Sequence, residues 1–208
     1  YVGYPVLLRI VALFRKPWSP PPPPRVWPRI SITVPAFDEE GTRRGTIESL
    51  LALDYPADRR QILVVSDASI DGTDGIVREY VDRGVELYRV AERRGKTAAE
   101  NAARGRLTGD IIVNTDASVR IHRDAIKALI ACFSDPTVGV ASGRDVSTVG
   151  GDESVNAGEK GYVGYEMWVR RLETRVLGIV QASGCLYATR REIHDREFPE
   201  HLTRDYGA

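Results

Sequence analysis

The sequence has no excess of charge of either sign. Its 208 residues include 29 lysines and arginines and 29 aspartates and glutamates, so the formal net charge is zero and nothing favours nucleic acid as the main partner. It also has only two cysteines, Cys132 and Cys185, which are far apart and lack the spacing of metal ligands. We therefore expect two buried thiols in a reducing compartment rather than a disulfide.

Two common nucleotide-binding signatures are missing. Gly95-Lys96-Thr97 resembles the end of a P-loop, but the earlier glycine that a P-loop requires would fall at Val90. No G-x-G-x-x-G follows the first predicted strand, which disfavours a dinucleotide-binding site.

The N-terminal apolar run is too short for a complete membrane span. As a helix, residues 1–14 would cover about 21 Å of a hydrocarbon core of about 30 Å, and Arg9 interrupts the run. No basic region precedes it, so no cleavable signal pattern is visible. We predict a membrane-proximal or interfacial segment over residues 1–18, namely the cytoplasmic end of a transmembrane helix or an interfacial helix, with a helix packed on the domain as the alternative. Residues 19–28, which contain SPPPPP, predict a semi-rigid proline-rich linker.

The remaining chain, residues 29–208, alternates between strand-like and helix-like patterns and predicts an α/β domain with a mostly parallel sheet. The predicted strands cover residues 30–34, 62–66, 85–90 and 109–115, and the predicted helices cover 42–53, 73–81, 96–104 and 122–133. A loop at 147–158, a long helix at 159–176 with an aromatic stripe expected in the core, and a strand at 182–188 follow. Because no capping element ends the chain at Ala208, we expect the domain to continue beyond it.

Four polar clusters lie at the carboxyl ends of the predicted strands or just after them. They are VPAFDEE at 34–40, SDASIDGT at 66–73, RRGK at 93–96 and TDAS at 115–118. One acidic loop residue is more often a turn former or helix cap than a ligand, but four clusters at the carboxyl edge of one parallel sheet predict a binding site.

The chemistry of these clusters suits a nucleotide diphosphate. Phe37 offers an aromatic face, and Asp67 offers a carboxylate that can accept a base N–H. Lys96, at the start of a predicted helix, supplies a cation and the helix dipole for phosphate. Asp116 would be ionised at neutral pH and could hold Mg²⁺ or Mn²⁺ bridging the phosphates.

In order and spacing, VPAFDEE, SDASIDGT, RRGKTAAENAA and GDIIVNTDAS resemble the motifs of glycosyltransferase family 2. The resemblance covers residues 30–208 and implies the GT-A fold, a Rossmann-like, mostly parallel sheet with helices on both faces. ASGCLYATRRE at 182–192 resembles the acceptor-side segment of the membrane-bound polysaccharide synthases in this family, and Arg204-Asp205-Tyr206 resembles their late acidic motif.

This resemblance implies an inverting, metal-dependent glycosyltransferase of the hexosyltransferase type that moves a sugar from a UDP-sugar to a glycan or lipid-linked acceptor. It also implies a role in polysaccharide biosynthesis, with membrane association and a cytoplasmic catalytic domain. Its catalytic base would be Asp205, its metal site Asp116 and Ser118, and its acceptor side Gly184 and Cys185. The implied nucleotide-sugar site consists of Pro35, Ala36, Phe37, Glu39, Asp67, Lys96 and Asp116.

Two departures from the family pattern keep other functions open. Ser118 stands where the D-x-D metal motif has its second aspartate, and Arg204 stands where an acidic residue usually precedes the base. These departures allow a glycosyltransferase-like binding domain that has lost its chemistry. A sugar-phosphate nucleotidyltransferase is a third possibility, but it requires a glycine-rich basic loop where this chain has the acidic FDEE.

Overall fold

A computed structural model describes most of the chain, namely residues 3–16, 19, 21–116, 119–143, 156–176, 178–179, 182–196 and 199, with side chains in the helix 156–176 described from residue 164. The chain divides into two compact units. The larger unit contains residues 21–143 and 182–208, and the smaller unit contains residues 1–20 and 144–181.

The larger unit is an α/β domain. Its strands are β1 (Ile30–Ala36), β2 (Arg60–Ser66), β3 (Val85–Arg89), β4 (Ile111–Thr115), β5 (Val140–Ser142) and β6 (Leu186–Arg190). Its helices are α2 (Glu40–Leu51), α3 (Thr73–Arg78), α4 (Lys96–Ala103), α5 (Ala125–Ala131) and α7 (Arg191–His194), and short 3₁₀ turns follow several of them.

The six strands form one mixed sheet in the order β3-β2-β1-β4-β6-β5. Strands β3, β2, β1 and β4 are parallel, whereas β6 is antiparallel to both β4 and β5. Because the chain proceeds outward from β1 to β3 and then returns to place β4 on the other side of β1, the order reverses between β1 and β4. Ligands of open α/β sheets bind in the crevice outside the carboxyl ends of the strands at such a reversal.

Apolar residues cover both faces of the sheet. On one face, α2, α3 and α5 pack side chains such as Ile47, Val77 and Ile126 against the even-numbered residues of β1. On the other face, α4 contributes Ala99 and Ala103 to a smaller cluster. Every residue of β1 is buried, as expected for a strand covered on both faces.

The structure confirms the predicted class of fold and the four parallel strands. The main differences lie in the carboxyl-terminal part, where the strand expected at 182–188 covers Leu186–Arg190 and pairs in the antiparallel direction. The helix expected at 73–81 ends at Arg78, because a 3₁₀ turn at Val81–Arg83 leads directly into β3. Both cysteines are described, and they form no disulfide.

In the smaller unit, α1 (Gly3–Leu13) packs against α6 (Asn156–Val176). Leu8 and Ala12 contact Val176, and the Tyr4 hydroxyl donates a hydrogen bond of 2.8 Å to Glu173. Within the described ranges, no helix has the length and apolar character needed to cross a membrane. The expectation that the aromatic stripe of α6 lies in the core is wrong for two residues, since Tyr165 and Trp168 are 47% and 38% exposed.

Gly109 allows the chain to pass β1 closely before it enters β4. A Cβ at this position would lie 2.3 Å from the backbone N of Ser31 and 2.4 Å from the carbonyl carbon of Ile30. Both neighbours are backbone atoms of a buried strand, so rotation of a side chain cannot relieve the clash. The Gly109 N–H also donates to Ser31 Oγ at 2.8 Å, and this bond depends on the close approach.

We expect Gly109→Ala to lower the free energy of unfolding by about 1–3 kcal/mol, the cost of forcing a methyl group into a packed core. Chemical denaturation followed by circular dichroism measures this difference. Gly105→Ala is the matched control, because a Cβ at Gly105 meets no atom within 4 Å. Equal stability of the two variants would show that the approach of residue 109 to β1 does not limit packing.

Candidate functional site

The crevice at the carboxyl edge opens between β1 and β4. The pairing of these strands ends at Thr33 and Asn114, although β1 continues to Ala36. Pro35, which has no N–H to donate, lies beyond the last pair. On its other side β1 stays paired with β2 as far as Ala36, so the end of β1 is held from one side only.

Phe37 follows β1 directly, at the mouth of this crevice. The guanidinium carbon of Arg93 lies 3.6 Å from the centre of the Phe37 ring, which is the distance of a stacked cation–π contact. Arg93 belongs to the loop between β3 and α4 and is exposed. The aromatic face predicted for a nucleoside therefore has a guanidinium stacked on it in this structure.

Asp67 follows β2 directly and connects three loops. Its backbone N–H donates to the carbonyl of Ala36 at 2.8 Å, which extends the pairing of β1 and β2 by one step. Its carboxylate accepts the backbone N–H groups of Arg94, at 3.0 Å, and of Gly95, at 2.8 Å. Gly95 has a φ of 94°, a left-handed conformation that favours glycine. Asp67 thus holds the 93–95 backbone against the ends of β1 and β2.

The loops after β1 and β2 bind each other through reciprocal hydrogen bonds. Asp38 accepts the N–H of Ile70 at 2.8 Å, and its own N–H donates to Ser69 Oγ at 3.3 Å. Glu40 contacts the second loop in the same way, since its carboxylate accepts the N–H of Gly72 at 3.1 Å and its own N–H donates to the Asp71 carboxylate at 3.0 Å. These bonds hold the two acidic loops together.

Burial and hydrogen bonding shift the pKa values of two ionisable groups in and beside these loops. Desolvation acts to raise the pKa of Asp71, but hydrogen bonds from the hydroxyl and backbone N–H of Thr73 and from the backbone N–H groups of Glu40 and Asp71 together lower the pKa below its usual range. Burial lowers the pKa of the Arg43 guanidinium, which is fully buried in α2, while the charges of Glu39 and Asp71 act in the opposite direction. The acidic loops therefore help to balance a buried positive charge beneath them.

Lys96 and Asp116 form an ion pair across the crevice. Lys96 is the first residue of α4, and its Nζ lies 2.5 Å from Oδ1 of Asp116, which follows β4. The two side chains are 42% and 37% exposed, so a ligand in solvent can reach both. The structure thus brings together Phe37, Asp67, Lys96 and Asp116 at one edge of the sheet.

Asp116 also suits a hard divalent cation. Among the described residues no group of three or more histidine, cysteine, aspartate or glutamate side chains is placed to hold a metal ion. Mg²⁺ and Mn²⁺ do not need such a cage, because these cations take one or two carboxylates and complete their coordination with water and phosphate oxygens. An accessible carboxylate next to a cation that attracts phosphate fits this mode of binding.

Gly184 and Cys185 lie beside the carboxyl end of β4. Cys185 precedes β6, and its carbonyl accepts a 2.9 Å hydrogen bond from the Thr115 hydroxyl. The antiparallel pairing then places Thr115 opposite Leu186. The predicted acceptor-side residues are therefore close in the fold to the predicted donor-side residue Asp116.

Two predicted site residues, Ser118 and Asp205, lie outside the described residues. Conversely, the prediction from sequence omitted Arg93 from the site, although it belongs to the RRGK cluster. The only sequence signal was its position next to Gly95-Lys96, and a stacking contact with a residue 56 positions earlier leaves no local pattern. It likewise omitted Asp38 and Asp71, which resemble ordinary turn formers.

Comparison with known proteins identifies relatives of this arrangement. Residues 31–198 match the model of glycosyl transferase family 2. The solved structure of a mannosyltransferase from Pyrobaculum calidifontis, in complex with GDP-Man and Mn²⁺, superposes with a TM-score of 0.78 and 30% identity, covering 99% of this chain and 58% of that one.

Two curated proteins are similar over part of their length. A beta-monoglucosyldiacylglycerol synthase of Synechocystis sp. is 27% identical over 168 residues, which are 76% of this chain and 34% of that protein. A hyaluronan synthase of Streptococcus pyogenes is 30% identical over 125 residues, which are 56% of this chain and 29% of that protein. The chain thus spans about a third of the length of these curated relatives.

Proposed function

The chain belongs to glycosyl transferase family 2, and we propose that its α/β domain transfers a sugar, with inversion, from a nucleotide-diphosphate sugar to a glycan or lipid-linked acceptor. A UDP-sugar is the proposed donor. The observation that carries the proposal is the convergence of Phe37, Asp67, Lys96 and Asp116 at the crevice between β1 and β4. An aromatic ring, a base acceptor, a cation and a metal-binding carboxylate are the groups that such a donor requires.

In this proposal the end of β1 and the start of the next loop form the nucleoside site. Pro35 and Ala36 line the crevice, Phe37 stacks on the base, and Asp67 accepts a base N–H with the lone pairs that its two backbone contacts leave available. Glu39 completes this side of the site. Lys96 interacts with the diphosphate, aided by the positive end of the α4 dipole.

Asp116 and Ser118 are the proposed ligands of Mg²⁺ or Mn²⁺. When bound, the metal neutralises charge on the departing diphosphate. The solved mannosyltransferase structure that is similar to this chain is in complex with GDP-Man and Mn²⁺, which supports both a divalent metal and a nucleotide-diphosphate sugar as donor. Because Lys96 and Asp116 lie next to each other at the sheet edge, the lysine and the metal-binding carboxylate can both act on one diphosphate.

Asp205 is the proposed catalytic base. It takes the proton from an acceptor hydroxyl as the hydroxyl oxygen attacks the anomeric carbon and the bond from that carbon to the diphosphate oxygen breaks. Attack from the face opposite the leaving group inverts the configuration. Gly184 and Cys185, beside the end of β4, are proposed to face the acceptor.

The smaller unit is proposed to bind a lipid surface, with the α/β domain on the cytoplasmic side. Helix α1 buries Pro5, Leu8 and Ala12, and Val11 packs partly against the same cluster. The other apolar side chains of α1, and Phe14 just after it, are at least 47% exposed. The exposed set is Tyr4, Val6, Leu7, Ile10, Leu13 and Phe14. Arg9, Arg15 and Lys16 are also exposed, and basic residues bordering an apolar helix face favour the surface of an anionic bilayer.

Calorimetric titration of UDP tests the donor site. We expect UDP to bind the chain more tightly with Mn²⁺ than without it, and Asp116→Asn to weaken the metal-dependent binding by about ten- to hundredfold, because the variant loses a charged metal ligand. Asp54→Asn is the matched control, since Asp54 also pairs with a lysine, at 2.8 Å from Lys127, but lies away from the crevice. If a folded chain binds neither UDP nor GDP, the donor proposal is wrong.

Substitution of Asp205 separates a transferase from a binding domain that has lost its chemistry. In the full-length protein, Asp205→Asn should slow sugar transfer by about 10²- to 10⁴-fold, the contribution of a positioned general base, and leave UDP affinity unchanged. Transfer is measured as UDP release from UDP-glucose in the presence of diacylglycerol. Asp82→Asn is the control, because it changes an exposed carboxylate that is far from residue 205 in the sequence. Undiminished transfer by Asp205→Asn would assign the base to another residue.

Cosedimentation with phosphatidylcholine vesicles containing phosphatidylglycerol tests the membrane proposal. Replacing Val6, Leu7 and Ile10 by serine should reduce the bound fraction by about tenfold or more, because three apolar side chains no longer enter the interface. Ile70→Ser and Val81→Ser are the controls, since both residues are exposed in the larger unit. Equal binding of all variants would rule out α1 as the contact.

A further inference from the structure

One loop contacts three of the proposed donor-binding residues at once. In residues 93–96, which lead from β3 into the first residue of α4, Arg93 stacks on Phe37, the N–H groups of residues 94 and 95 donate to Asp67, and Lys96 pairs with Asp116. These three partners follow three different strands, β1, β2 and β4. A single short segment therefore interacts with the groups proposed for the base and for the metal.

Arg93 lies where a base is proposed to stack. Its guanidinium is a flat cation 3.6 Å from the centre of the Phe37 ring, and a nucleobase stacked on the same face would occupy the same layer. Phe37 is half-buried, so the accessible part of its ring is limited. A base that uses this face must replace the guanidinium.

Lys96 likewise lies where a divalent cation is proposed to bind. Its ammonium group is in contact with one oxygen of the Asp116 carboxylate. A divalent ion and an ammonium group on the same carboxylate repel each other, so entry of the metal favours departure of the lysine. The departing ammonium group then becomes available to the diphosphate that accompanies the metal.

The backbone of the loop does not need to move for these exchanges. The two N–H bonds to the buried carboxylate of Asp67 fix residues 94 and 95. Arg93 and Lys96 flank this anchored pair, and both are exposed. Side-chain rotation about a fixed backbone is therefore sufficient to clear the site.

We propose that residues 93–96 occupy the donor site of the ligand-free protein, with Arg93 in the place of the base and Lys96 in the place of the divalent cation. This inference rests on the proposed function. Donor and metal then bind by replacing these intramolecular contacts. Arg93 therefore lowers the affinity of the site for the base, and Lys96 lowers its affinity for the divalent cation. Lys96 has opposite effects on the two ligands, since it opposes the metal alone and assists the diphosphate.

Two binding measurements on the whole chain test this inference. Uridine and guanosine, which carry no charge, are titrated into the ¹⁵N-labelled protein without metal, and Mn²⁺ alone is titrated with free Mn²⁺ detected by electron paramagnetic resonance. We expect Arg93→Ala to bind one of the nucleosides about two- to fivefold more tightly, the effect of losing an exposed cation–π contact. Lys96→Met should bind Mn²⁺ about two- to fivefold more tightly, the effect of losing an exposed ion pair.

The chain offers a matched control for each variant. Arg106 lies over the ring of Tyr88 at 4.3 Å, so Arg106→Ala removes the same kind of contact elsewhere and should leave nucleoside affinity unchanged. Lys127 pairs with Asp54, so Lys127→Met removes a comparable ion pair and should leave Mn²⁺ affinity unchanged. The spectrum of each ligand-free variant reports whether it is folded.

Substitution of Lys96 should change the two measured affinities in opposite directions. Lys96→Met should bind Mn²⁺ more tightly but should bind UDP with Mn²⁺ less tightly than the unaltered chain, a combination that general destabilisation does not produce. Unchanged or weaker binding of nucleoside by Arg93→Ala, or of Mn²⁺ by Lys96→Met, overturns the inference. Failure of the unaltered chain to bind both UDP and GDP with Mn²⁺ would instead reject the proposed function.

Discussion

The position of β1 between two parallel neighbours is the constraint on which the site depends. Strand β1 pairs with β2 as far as Ala36 but with β4 only as far as Thr33. The carboxyl edge of the sheet is therefore continuous between β1 and β2 and open between β1 and β4. Parallel strands deliver their loops to the same edge, so residues distant in sequence meet there. The complete burial of β1 makes this arrangement costly to change, since apolar side chains pack on both of its faces.

The site itself is built from loops that stabilise one another. The acidic loops after β1 and β2 exchange backbone-to-side-chain hydrogen bonds, and Asp67 holds the basic loop before α4 against them. Hydrogen bonds to charged groups are among the stronger ones in proteins. A framework of this kind fixes the backbone while leaving the side chains of Arg93 and Lys96 at the surface. The candidate site thus combines a hydrogen-bonded backbone with two exposed cations.

The two compact units differ in how they use apolar residues. The larger unit packs its apolar residues mainly into a sheet core, whereas α1 of the smaller unit keeps an apolar face exposed next to basic residues. Isolated apolar side chains on a surface are ordinary, but a continuous face along a helix indicates an interaction. Its 11 residues are consistent with a helix lying at an interface. Sugar transfer is thus proposed for the larger unit and binding to a lipid surface for the smaller unit.

The sequence by itself determined the class of fold, the four parallel strands and the order of the polar clusters after them, because hydrophobic periodicity and turn chemistry are local properties. It also predicted that Phe37, Asp67, Lys96 and Asp116 meet at one edge of the sheet, which is where the structure has them. Only the tertiary structure decided that β6 returns antiparallel beside β4, that Arg93 stacks on Phe37 and that Lys96 pairs with Asp116. These contacts join residues on different strands and loops, and nothing in their immediate sequence specifies which partner the folded chain brings within reach.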